Sequence, residues 1–71
     1  MKEILDLHGI RHSDVDRLVE NLILINDRWK IICGNSDKMI ELVRNKLNWA
    51  YENHGIEWHM ITHNSFGNSI K

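Results

Sequence analysis

The chain has 71 residues, a formal net charge of −1 and a pI near 6.5, with one cysteine and no proline. This length leaves no room for a deep cleft, and the composition excludes an internal disulfide, a membrane span of about 20 apolar residues and the broad basic surface of a general nucleic-acid binder. We therefore expect one cytoplasmic domain, residues 1–71, without a membrane partner, in which any contact with nucleic acid depends on a local patch.

The first predicted strand, from about Glu3 to His8, ends in Leu5-Asp6-Leu7-His8-Gly9. Alternate side chains of a strand share a face, so we expect Asp6 and His8 to point outward and the two leucines to point into the core. A polar pair at the carboxyl end of a strand lies where open α/β sheets bind ligands. The alternative is structural, with Asp6 capping a turn and His8 an ordinary histidine at the end of a strand.

A first helix is predicted to begin at Ser13, a residue suited to the N-cap position. Its apolar side chains recur with the spacing of one helical face: Val15, Leu18, Val19, Leu22 and Ile23. Turn residues follow the helix, and Trp29–Cys33 is a predicted second strand. The handedness of such crossovers predicts that the two strands lie parallel and adjacent in one sheet.

The second strand ends at a turn, Gly34-Asn35-Ser36-Asp37, that leads into a second helix. Asn35 or Ser36 is the predicted N-cap, and the amides of the first helical turn are expected to bind an anion. Lys38, like Arg11 after the first strand, lies beside these turns and supplies local positive charge. Gly55 suits the left-handed position that ends the helix.

The remaining residues alternate as in a strand from Ile56 to Thr62, so a third strand is predicted there. A turn is predicted over residues 64–68, followed by a very short edge strand at residues 69–71. The predicted fold is therefore α/β, a two-layer sandwich of order β-α-β-α-β(β), with two helices and a mixed four-stranded sheet.

Leu5-Asp6-Leu7-His8-Gly9 resembles the opening motif of the Smr (small MutS-related) domain family residue for residue. The second motif of that family is an apolar strand ending in His-Gly-x-Gly, and here Cys33 stands for the histidine and Ser36 for the second glycine. Gly67-Asn68-Ser69 is similar to the closing Gly-x-Thr segment of the family.

The resemblance implies a sandwich similar to the C-terminal domain of the third translation initiation factor, and a nuclease that cleaves RNA or structured DNA. It implies ribosomes or repair proteins as the context. It makes Asp6 and His8 the catalytic candidates, since an imidazole can transfer a proton to or from an oxygen of a phosphodiester. The resemblance and the positions of the two turns together give the predicted substrate-binding residues: Gly9, Arg11, Cys33, Gly34, Asn35, Ser36, Lys38 and Gly67.

Several alternatives remain open from the sequence alone. The main one is a catalytically silent nucleic-acid-binding or adaptor module, because Cys33 and Ser36 depart from the family motif. A nucleophilic pair of Cys33 and His8 and a structural zinc site are weaker alternatives, since no pair of cysteines and histidines has the spacing typical of structural zinc. No cofactor is predicted, and a need for a divalent metal is left open. The expected state is a monomer or a weak homodimer, the latter through a face around Trp58.

Overall fold

The computed structural model describes residues 3–68 and shows an α/β fold of two helices and a mixed four-stranded sheet. The strand order is β1-β2-β4-β3, with β1 parallel to β2 and the other two pairings antiparallel. None of the helices in this part of the chain is both long enough and apolar enough to cross a bilayer. The elements are β1 (Glu3–Asp6), α1 (His12–Ile25), β2 (Trp29–Ile32), α2 (Asp37–His54), β3 (His59–Thr62) and β4 (Ser65–Gly67).

The fourth strand, β4, lies inside the sheet between β2 and β3 and is formed by residues for which a turn was predicted. A two-residue turn, His63-Asn64, reverses the chain after β3, and β4 then pairs with both β2 and β3. Its Phe66 is fully buried. The predicted turn is confirmed at Asn64 and was wrong for residues 65–67, because burial of Phe66 between two strands outweighs the local turn preference of its neighbours. The predicted edge strand at residues 69–71 lies outside the described residues.

The ends of the helices confirm one predicted N-cap and correct the other. Arg11, with an extended backbone, precedes α1 without a side-chain cap, so Ser13 lies inside the helix and its predicted capping role was wrong. Ser36 caps α2, where its Oγ accepts a hydrogen bond of 3.2 Å from the amide of Met39. Gly55 ends α2 in the left-handed conformation, at φ 66°.

One buried cluster joins both helices to one face of the sheet. Leu7 is buried as predicted, whereas Leu5 is only half-buried because β1 is an edge strand and has a neighbour on one side alone. Trp29 and Phe66 are the largest fully buried side chains of the core. The other buried apolar side chains are Val15, Val19, Leu22, Ile23, Ile31, Cys33, Met39, Val43, Leu47 and Ala50.

The two helices are also joined by a buried lysine, Lys46 of α2. Its Nζ lies 2.8 Å from Glu20 Oε1 and 3.1 Å from Asp16 Oδ1 of α1, and 3.7 Å from the centre of the Trp49 ring. Burial by itself lowers the pKa of Lys46, but the hydrogen bonds to Glu20 and Asp16 outweigh that effect and raise the pKa above its ordinary value of 10.5. The ammonium group is therefore held in its charged form.

We expect Lys46→Ala to lower the free energy of unfolding by about 1–2 kcal/mol, because it removes two ion pairs and a cation–π contact at once. The exposed Lys38→Ala is the control and should change the free energy of unfolding by less than about 0.5 kcal/mol.

A raised pKa of Lys46 in the folded state stabilises the fold below the unfolded pKa, and this stabilisation is lost as the pH rises through the folded pKa. Chemical denaturation should therefore give a constant difference between wild type and Lys46→Ala from pH 7 to about 10 and a smaller one above. An equal loss of stability in Lys46→Ala and Lys38→Ala would contradict the stabilising role of Lys46.

Candidate functional site

The carboxyl ends of β1 and β2 meet at one edge of the sheet, as the parallel pairing predicts. Asp6 pairs with Ile32, and the amide of Leu7 continues the ladder with a hydrogen bond of 2.8 Å to the carbonyl of Ile32. The residues that follow each strand, His8 and Gly34, are thereby neighbours in space although 26 positions apart in the chain.

Asp6 and His8 form a hydrogen-bonded pair that is open to solvent. The Oδ1 atom of Asp6 lies 2.5 Å from His8 Nδ1 and also accepts a hydrogen bond of 3.0 Å from the amide of His8. The side chains are 57% and 62% exposed respectively, so the predicted outward orientation is confirmed. The backbone amide of His8 first, and then its ring, lower the pKa of Asp6 below its ordinary value of 3.8. An ionised carboxylate only accepts, so Nδ1 donates, and Nε2 is the ring nitrogen that remains for a ligand.

The imidazole of His8 lies directly against the backbone of Gly34. A Cβ atom added to Gly34 would stand 2.9 Å from His8 Nε2 and 3.0 Å from Cδ2, closer than such atoms approach in proteins. Gly34 also has a φ of 78°, a conformation that costs other residues energy. The positive φ therefore favours glycine at this position, and a larger residue would in addition displace the imidazole beside it.

A third segment, the turn between β3 and β4, holds the Gly34 loop in place. The Nδ2 group of Asn64 donates a hydrogen bond of 2.9 Å to the carbonyl of Gly34, and the Asn64 carbonyl accepts one of 2.8 Å from the amide of Cys33. Asn64 was not among the predicted site residues. Its only sequence signal was an asparagine in a predicted turn, which does not indicate a contact 30 residues away.

The start of α2 completes the same edge with polar and charged groups. The amides of Met39 and Ile40 bind the Oγ and the carbonyl of Ser36, which leaves those of Asp37 and Lys38 without a partner among residues 3–68. Asn35, Asp37 and Lys38 are exposed, and Ser36 is half-buried. These groups can meet an anion, although the Asp37 carboxylate opposes its binding.

The remaining predicted residues divide into exposed and buried ones. Gly9 and Arg11 are exposed and follow β1 at this edge. Cys33 is 2% exposed, and burial raises the pKa of its thiol to about 11, so the thiol stays protonated and the alternative of a Cys33–His8 nucleophilic pair loses its thiolate. Gly67 is buried in β4 opposite Lys30, toward the other edge of the sheet, with Ile61 packed over it. The structure therefore does not place Gly67 beside His8.

The aromatic residues and metal-binding side chains do not gather at this edge. Trp29 is buried, while Trp49 and Trp58 are half-buried and pack edge-to-face against His54 and Phe66. Over residues 3–68, no three or more histidine, cysteine or acidic side chains come together in a group that could hold a metal ion.

Comparison of the chain with protein-family models, with characterised proteins and with solved structures finds no match.

Replacing Gly34 by alanine should displace the His8 ring, because the new methyl carbon would lie only 2.9 Å from Nε2. Gly55→Ala is the matched control: Gly55 has a similar positive φ of 66°, and an added Cβ there meets nothing within 4 Å. Both variants should lose about 1–2 kcal/mol of stability from backbone strain. Only Gly34→Ala should also shift the imidazole resonances of His8 in NMR spectra. Unchanged His8 resonances in Gly34→Ala would show that the ring does not lie against this glycine.

Proposed function

We propose that this domain binds nucleic acid and cleaves phosphodiester bonds of RNA or structured DNA, with Asp6 and His8 as its catalytic pair. The observation that carries the proposal is the placement of the His8 imidazole, bonded to Asp6 on one side and lying against Gly34 on the other. The Smr-like motif at residues 5–9 supports it, since nucleases of that family share this sequence.

The role of His8 follows from which nitrogen is engaged. Nδ1 donates to Asp6, so Nε2 accepts a proton from the attacking hydroxyl or water, or returns one to the leaving oxygen once the ring is protonated. The Asp6 carboxylate fixes the ring orientation and stabilises the positive charge on His8 that develops during the transfer. Proton transfer of this kind contributes about 10²- to 10⁴-fold to a rate.

The phosphate group would bind at the start of α2, beside the imidazole. The amides of Asp37 and Lys38 and the positive end of the helix dipole stabilise charge on the phosphoryl oxygens. Lys38 and Arg11 are exposed and form no ion pair with any residue between 3 and 68, so their charge is available to a polyanion. Two such cations provide the local patch that a chain of net charge −1 requires.

A catalytically silent binding or adaptor module is the second candidate, and the state of Cys33 favours it. At the position where the Smr motif has a histidine, this chain has a buried cysteine whose pKa is raised to about 11. The site therefore lacks a second imidazole beside Gly34. In this function the Gly34 loop and Lys38 would still bind the backbone of a nucleic acid, on a ribosome or with repair proteins, as a monomer or a weak homodimer.

Incubation of the purified protein with labelled single-stranded RNA, duplex DNA and branched DNA, with and without a chelator, tests the proposal. Cleavage of any substrate supports the nuclease, and the chelator arm shows whether a divalent metal is needed. Measurable binding without cleavage under every condition would overturn the nuclease in favour of the adaptor.

His8→Ala should reduce the cleavage rate by about 10²-fold or more, because it removes the group that transfers the proton. Asp6→Asn should cost nearly as much while it preserves the size of the side chain. Both residues are exposed, so circular dichroism should show an intact fold. His54→Ala, at the far end of α2, is the control and should retain wild-type activity. Cleavage that survives both substitutions would place the chemistry elsewhere.

The charges in the first turn of α2 predict opposite changes in affinity for nucleic acid. Asp37→Asn should tighten binding, because it removes a carboxylate that repels the anion. Lys38→Glu should weaken binding and reduce the slope of log affinity against log salt by about one, as expected for the loss of one phosphate contact. Fluorescence anisotropy with a labelled oligonucleotide at several salt concentrations measures both. Affinities unchanged at low salt would exclude this turn as the binding site.

A further inference from the structure

Asn64 connects two segments at the edge of the sheet where His8 lies, the loop after β2 and the β3–β4 hairpin. Its Nδ2 group donates to the carbonyl of Gly34, and its backbone carbonyl accepts from the amide of Cys33. Its Oδ1 accepts a hydrogen bond of 2.9 Å from the hydroxyl of Thr62. Thr62 in turn shares a hydrogen bond of 2.7 Å with the hydroxyl of Ser65. Asn64 is therefore fixed by its own hairpin while it holds the loop of the neighbouring strand.

The Gly34 loop is the surface on which the imidazole rests. The ring is bonded to protein at Nδ1, through Asp6, and its other side faces Gly34, with Nε2 2.9 Å from the position of an added Cβ. A shift of the Gly34 backbone would consequently change the space available to Nε2. The hydrogen bond of 2.9 Å from Asn64 Nδ2 to the Gly34 carbonyl ties this part of the loop to the β3–β4 hairpin.

We propose that Asn64 is a positioning residue for His8, acting through the backbone of Gly34. Within residues 3–68, Asn64 forms no hydrogen bond to the imidazole or to the start of α2. This inference rests on the proposed function for its effect on cleavage, but its effect on the imidazole can be measured without any activity.

Asn68 provides a matched control at the opposite edge of the sheet. It also joins distant segments, since its Oδ1 accepts a hydrogen bond of 2.9 Å from the amide of Trp29 and its Nδ2 donates one of 2.6 Å to the carbonyl of Asp27. Loss of either asparagine removes side-chain hydrogen bonds between elements, and only Asn64 holds the loop under His8. Asn64 has no positive φ, so alanine fits its backbone.

The experiment compares Asn64→Ala with Asn68→Ala by NMR and by kinetics. We expect both variants to melt at lower temperature, whereas only Asn64→Ala should shift the imidazole resonances of His8. In cleavage assays, Asn64→Ala should lower kcat by about 10- to 100-fold with KM unchanged, the scale expected for a misplaced catalytic group. In the His8→Ala background the same substitution should have no further effect on kcat.

Asn64→Ser keeps a turn-forming residue that is too short to reach Gly34, and it replaces Asn64→Ala if that variant does not fold. His8 resonances identical to wild type in a folded Asn64 variant would overturn the positioning role. An equal loss of kcat in Asn68→Ala would overturn it as well, because a general loss of stability would then account for the effect. If the wild type cleaves nothing, the proposed nuclease fails, while the His8 resonances still decide the role of Asn64.

Discussion

The parallel pairing of β1 with β2 is the interaction on which the site depends. It brings the ends of two strands that are separated by a whole helix to the same edge of the sheet, so that His8 reaches the backbone of Gly34. A shift of this register by one residue would turn Leu7 out of the core and Asp6 into it. Burial of Leu7 on the core face resists such a shift, because exposing a leucine that is now 1% accessible costs about 1.5–3 kcal/mol. The same contact thus stabilises the fold and fixes the orientation of the acid–histidine pair.

The features that could be predicted from the sequence are those encoded by local patterns. Alternation in Leu5–His8 gave the outward direction of the pair, and the sequence around Ser36 and Gly55 gave both ends of α2. The pairing of the first two strands followed from the handedness of the crossover. Each of these depends on residues close together in the chain or on a rule of chain geometry that holds for most α/β folds.

The features that could not be predicted depend on contacts between distant segments. Residues 64–68 are of types that favour turns. Three of them nevertheless form β4 between β2 and β3, where Phe66 is buried. The role of Asn64 at the Gly34 carbonyl follows from that placement and has no local signature. Gly67 was expected in the site because Gly67-Asn68-Ser69 resembles the closing Gly-x-Thr segment of the Smr family. The register of β4 instead directs Gly67 toward the other edge, where Ile61 and the Trp29 carbonyl leave little space for a side chain.

The exposure of the Asp6–His8 pair also limits the kind of substrate that suits this site. More than half of each side chain is accessible, and electrostatic stabilisation in such a position is weakened by water. A small substrate would leave much of the pair solvated, because both side chains are more than half exposed. A polymer lying across the sheet edge, from Arg11 to Lys38, would itself exclude water from the imidazole and strengthen its interaction with Asp6. Under the proposed function, a nucleic-acid strand would therefore cover the exposed Asp6–His8 pair and complete the site.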